Sequence, residues 1–186
     1  MLMLASLWLP ILLAAVAVFV ASSLVHMVFK WHQADYRKLA NEDEVREVIR
    51  RGNPTPGQYV LPHCLDGKDM QNPEIQQRFV EGPVGFVMLR ASGLPKMGPH
   101  LGKWFLLALA VSAITACLAC SVLGSGASKY LVFHFFAIST FLAYATGSVS
   151  DGIWKAHPWG AVAKDLLDAL LYALVSAAVF AWLWPR

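Results

Sequence analysis

The chain's chemistry-bearing residues gather in one stretch, LVHMVFKWHQADYRK, Leu24 to Lys38, where a long apolar run gives way to charge. Two histidines, an aspartate and a tyrosine there are the side-chain types that hold metals or move protons. Their spacing sets the first expectation. On a helix His26 and His32 fall about 240° apart around the axis and face different ways, so they do not make the i, i+4 pair that two-histidine helical metal sites use. His32, Asp35 and Tyr36 share a face at i, i+3 and i+4 and form a candidate polar site. His26 is expected to hydrogen-bond Ser22 or Ser23 one turn back. Lys30, Arg37 and Lys38 suit anionic lipid headgroups.

A second polar group begins the last apolar run. Asp165, Asp168 and Tyr172 line one face, and carboxylates in a membrane segment are candidates for function. Lys164 precedes Asp168 by four residues, so an ion-pair cluster is the competing reading. The remaining reactive types are scattered. His134 lies among aromatics as an expected core histidine, His63-Cys64 is a lone pair, His100 is isolated, and His157 sits in a turn. CLAC, Cys117 to Cys120, falls inside an apolar run with no cation to lower a thiol pKa, and reads as packing. The sequence carries no phosphate-binding glycine loop, nucleophile elbow or zinc-spaced Cys/His set, and points to no catalytic residue, cofactor or metal ligand.

The elements that must position these groups follow from hydropathy. Of 186 residues, 57% are hydrophobic and 15% charged, and the mean hydropathy is +0.51. Soluble domains carry roughly 25% charge. Four runs are long enough for a bilayer core about 30 Å thick: residues 4–29, 104–123, 130–149 and 164–184, the last apolar from Leu166 to Trp184. The first has no basic residue before its core and exceeds the 7–15 residues of a signal peptide, so it reads as an anchor. Pro10 lies in its first turns, where a helix tolerates it. The expected fold is therefore an all-α membrane protein: four transmembrane helices with a small cytoplasmic α+β insert, residues 30–103, between the first two.

Within the insert, Asn41-Glu-Asp-Glu44 resembles a capping box opening a short helix closed by Gly52. Gln58–Pro62 reads as a strand, Asn72-Pro73-Glu74 opens a second helix ended by Gly82-Pro83, and Val84–Ala91 is the strongest strand.

Basic residues set the expected orientation. Thirteen Lys/Arg fall in the insert and the 150–165 connection, against Lys129 and Arg186 on the other side. The positive-inside rule then places both termini on the outer side and the insert in the cytoplasm. Trp8, Trp31, Trp104, Trp154, Trp159, Trp182 and Trp184 lie near span ends, as headgroup anchors do. The net charge of +3 is interleaved rather than clustered, which argues against nucleic-acid binding.

Two spans carry small residues every fourth position, the pattern for close helix packing: Ser112, Ala116, Cys120 and Gly124 in the second, and Ala169, Ala173, Ala177 and Ala181 in the fourth. These ridges fit a non-enzymatic accessory or scaffold subunit that packs, among membrane lipids, against a protein partner or a second copy. The alternative is a membrane metal protein or enzyme using His26, His32, Asp35, His63 and Asp168 at the cytoplasmic face. A small oligomeric transporter is the third reading, weakened by the lack of internal repeats and of a charge at mid-membrane.

Taken together, SSLVHM, HQADYRKL, NEDEV, GQYVLP, GPVGF, Trp154-Lys155 with Pro158-Trp159, and the terminal WLWP resemble a family of small four-span bacterial inner-membrane proteins, from Ser22 to Arg186. The resemblance implies the topology and the bacterial inner membrane. It brings no activity and no site residues.

Overall fold

The computed structural model describes residues 4–185; Arg186, counted above among the outer basic residues, lies outside them. Four helices are long and apolar enough to cross a membrane: Leu4–Phe29, Met97–Val122, Lys129–Trp154 and Trp159–Leu183. The first contains α1 (Trp8–Ser23), preceded by a 3-10 turn and followed by a π-helical stretch, Leu24–Phe29. In chain order α2 (Glu42–Arg51), β1 (Gly57–Leu61), α3 (Pro73–Glu81) and β2 (Gly85–Leu89) follow, then the three long helices α4, α5 and α6. A multi-pass integral membrane protein with a small α+β insert between its first two spans is thus the architecture.

The long helices run past the apolar runs, because a helix continues into the headgroup layer while its backbone bonds stay satisfied within it. Hence α4 starts at Met97 rather than Trp104, and α5 ends at Trp154 rather than Val149.

The chain divides into two compact units. One holds the four long helices. Close packing in it runs from α1 to both α6 and α4, where small side chains let backbones approach. Ala169, Ala173, Ala177 and Ala181 are all buried on α6, as are Ser112 and Ala116 on α4. Cys120 is half-buried and Cys117 exposed. Gly124 lies beyond the end of α4 and is exposed; its carbonyl accepts a 3.2 Å hydrogen bond from Trp184 Nε1. Trp184 is buried against the other helices. Helix α5 joins through large side chains: Phe136 stacks on Phe180 at 3.7 Å between ring centres, and Trp184 meets Phe136 at 5.9 Å.

The second unit comprises Arg37–Pro95 with Ile153–Ala156. Its two strands pair antiparallel, Gly57 opposite Leu89 and Leu61 opposite Gly85. Asn72 caps α3, its side chain accepting from Glu74 N–H at 3.0 Å. Asn41 precedes α2 but makes no capping bond; acidic residues fill the first turn instead, where the helix dipole favours them. Arg46 pairs with Asp43 at 3.4 Å, and Arg51 with Glu47 at 3.1 Å, along the exposed face of α2.

Candidate functional site

The backbone first explains how His26 and His32 meet. After Ser23 the first span loosens into a π turn, and Lys30 N–H bonds back to Val25 O at 3.1 Å. Lys30 then adopts a left-handed conformation, φ 54° and ψ 24°, which a non-glycine residue takes only under local constraint. The chain turns there and resumes as a 3-10 helix, Trp31–Asp35. The expectation that the two histidines face apart assumed one continuous helix. The turn at Lys30 breaks it, and the imidazoles stack with centres 4.8 Å apart.

Helix α6 supplies the opposite wall. Asp168, 5% exposed, directs Oδ2 at both rings: 2.9 Å from His32 Nε2 and 3.4 Å from His26 Nε2. His32 Nδ1 lies 3.0 Å from Asp35 Oδ2. Lys164 Nζ donates to Asp35 Oδ1 at 2.6 Å and to Trp31 O at 2.9 Å. The hydrogen bond from Lys164, with that from His32, holds the Asp35 carboxyl below the usual carboxylate range against the opposing effect of burial. Tyr172 OH completes the group, 3.3 Å from His26 Nε2. A chain of contacts thus runs Lys164–Asp35–His32–Asp168–His26–Tyr172.

Several expected partners differ. Lys164 pairs with Asp35 rather than Asp168, because the turn at Lys30 brings Asp35 to it. Asp165 pairs with His157, Oδ2 to Nε2 at 3.2 Å, rather than with the cluster around Asp168. Tyr36 is 86% exposed, since the 3-10 helix ends at Asp35 and the backbone becomes extended. His26 does not bond Ser22 or Ser23; both hydroxyls donate to Phe19 O, and Ser22 Oγ accepts Trp104 Nε1–H at 2.7 Å. His134 is exposed, with Nδ1 2.8 Å from Tyr130 O, rather than in the core. His63 and His100 are exposed, and His63 belongs to the insert unit.

One atom each from His26, His32 and Asp168 lie within 4.8 Å of one another, a set able to hold a metal ion. Around an ion with bonds of 2.0–2.1 Å, neighbouring ligand atoms sit about 2.9–3.4 Å apart for angles of 90–109°. The two contacts to Asp168 Oδ2, 2.9 and 3.4 Å, span that interval. A neutral imidazole donates from one nitrogen only, so the two carboxylate contacts of His32 need either a second proton or a cation replacing one of them. Asp168 Oδ1 is buried with no hydrogen-bond partner. A cleft of about 360 Å³, lined by Val25, Phe29, Trp31, Leu167 and Leu171, reaches Asp168 from the apolar side.

Fold and site together define a multi-pass integral membrane protein with a histidine–carboxylate cluster at one end of its helices. Compared with protein-family models, with curated proteins and with solved structures, the chain matches none.

Proposed function

We propose that this integral membrane protein binds one divalent transition-metal ion of the zinc type through His26 Nε2, His32 Nε2 and Asp168. The observation that carries the reading is the approach of both imidazoles to one oxygen of Asp168, at 2.9 and 3.4 Å, within a group whose three ligand atoms lie within 4.8 Å of one another. Two imidazoles and a carboxylate leave a further coordination position open, as catalytic rather than structural zinc sites do. Asp35 is the outer partner such a histidine requires: it receives His32 Nδ1–H, fixes the tautomer and leaves Nε2 free for the metal. The excess of basic residues in the insert supports termini on the outer side and the cluster on the cytoplasmic side; with the resemblance to bacterial inner-membrane proteins, those termini are periplasmic.

The test is metal content by elemental mass spectrometry of the full chain, purified in detergent without chelators, with cobalt(II) spectra as a second readout. About one ion per chain is expected, lost in His26→Ala and His32→Ala. Native protein that takes up no zinc, or variants that keep as much as native, sinks the reading.

A second reading, an accessory subunit or homo-oligomer, is favoured by the insert. None of residues 37–95 is buried, while Val80 and Leu94 are 88% and 92% exposed. So small a unit without a core needs a partner surface. Native mass spectrometry of protein extracted from its own membranes tests this, and a lone chain under mild detergent rules it out.

A further inference from the structure

A hydroxyl inside a bilayer must find a partner, because the medium offers none. Most Ser and Thr in membrane helices donate to a carbonyl one turn back. Ser23, Thr115, Ser121, Ser139 and Thr146 do so here. Among the described residues, three buried hydroxyls find no such partner. Thr140 Oγ1, Tyr144 OH and Ser176 Oγ are buried without a hydrogen-bond partner, and Thr140 and Ser176 are only 2% and 1% exposed.

They lie at adjacent levels. The ring pairs Phe136–Phe180 and Tyr144–Tyr172, with centres 3.7 and 5.4 Å apart, tie α5 to α6 in antiparallel register. Each pair is one turn from Thr140 on α5 and one turn from Ser176 on α6, so these two hydroxyls share the level between the pairs. On α6, Asp168, Tyr172 and Ser176 recur every fourth residue, and Ser176 lies about 12 Å deeper than Asp168. Asp168 Oδ1 is also unpartnered. Unsatisfied polar atoms therefore run from the cluster towards mid-membrane. The next level is closed by Phe136 and Phe180, fully buried and stacked face to face with an interplanar angle of 6°.

We propose that α5 and α6 enclose a hydrated half-channel. Water reaches it from the Asp168 end, hydrogen-bonds to Tyr144, Thr140 and Ser176, and stops at the Phe136–Phe180 stack. A buried water needs two to four polar partners and room for itself; these hydroxyls supply the partners, and because their oxygens are closed off in the packed bundle, the room opens as α5 and α6 part. The half-channel brings water, and any proton that water carries, to the middle of the bilayer. The phenylalanine stack is the barrier to the opposite face. This inference stands whether or not the cluster holds a metal.

The test places single cysteines, Ser176→Cys and Thr140→Cys, in full-length chains whose Cys64, Cys117 and Cys120 are replaced, reconstituted in phospholipid vesicles. A membrane-impermeant methanethiosulfonate is added to one side at a time. A thiolate displaces methanesulfinate to form a mixed disulfide, and it forms only where water reaches. Both cysteines should react from the side bearing His32, much faster than Leu174→Cys on the exposed face of α6, and not from the other side. Adding Phe136→Ala should make Ser176→Cys reactive from both sides. Cysteines no more reactive than Leu174→Cys overturn the half-channel, and unchanged sidedness with Phe136→Ala overturns the barrier. Hydroxyl-radical footprinting of the unaltered chain avoids any misfolded variant. Oxidation of Tyr144 well above that of Phe136 is expected, and equal oxidation refutes the hydrated path.

Discussion

Asp35→Asn separates a metal centre from a structural ion pair. Asp35 touches no candidate ligand atom. It acts through His32, with Oδ2 3.0 Å from Nδ1, and it neutralises Lys164, whose Nζ lies 2.6 Å from its other oxygen. Asparagine keeps the shape and one acceptor but loses the charge. Outer-partner substitutions at metal sites typically weaken affinity about 10–100-fold. The upper part of that range is expected here, because the variant also leaves the Lys164 cation without its counter-charge beside a site that must accept a dication. Affinity is measured by zinc competition against a chromophoric chelator, at fixed pH and salt. Lys164→Met is the control: it leaves Asp35 on His32 and removes a repelling cation, so zinc binding should hold or tighten. Adding Lys164→Met to Asp35→Asn should restore part of the loss. An Asp35→Asn protein with native zinc affinity, or equal weakening by both single variants, would show that Asp35 is not positioning a ligand.

Two further outcomes test the helix packing. Trp104→Phe removes the 2.7 Å bond that joins α4 to Ser22 of α1 and should cost about 0.5–1.5 kcal/mol, read as a lower Tm in detergent. Adding Ser22→Ala to it should cost little more, because the two side chains share one interaction. Ala173 has no exposed surface and lies on the α6 face that meets α1 closely. Ala173→Leu should therefore destabilise by about 1–3 kcal/mol through overpacking, whereas Ala163→Leu on the exposed face of α6 should leave the melt unchanged.

The insert shows how far local signals reach. Pro73 at a helix start, Asn72 before it and the apolar run within Val84–Ala91 each specify their structure within a few residues, and each element forms where those signals stand, the strand as Gly85–Leu89. The capping bond at Asn41 does not form although its residue pattern is present, since a cap needs a particular side-chain geometry as well as a sequence.

The candidate site was legible in composition but not in pairing. Its members, His26, His32, Asp35, Asp168 and Tyr172, are polar groups set in apolar surroundings, which a sequence displays. Their assembly depends on Lys30 in a left-handed turn. No glycine or asparagine marks that turn, so a helical wheel carried through it puts His26 and His32 on different faces. Lys164 shows the same limit: its neighbour on the same helix is Asp168, yet it finds Asp35 across the bundle.

The sequence by itself determined the four spans, because bilayer thickness demands about 20 apolar residues per crossing and nothing else in the chain supplies them. It also determined the packing face of α6, because a small residue every fourth position is a property of one helix. Only the tertiary structure decided which carboxylate meets which imidazole, and that Thr140 and Ser176 lie at one level. Contacts between residues more than a hundred positions apart in the first case, and across two antiparallel helices in the second, are set by how the helices pack, which no local period encodes.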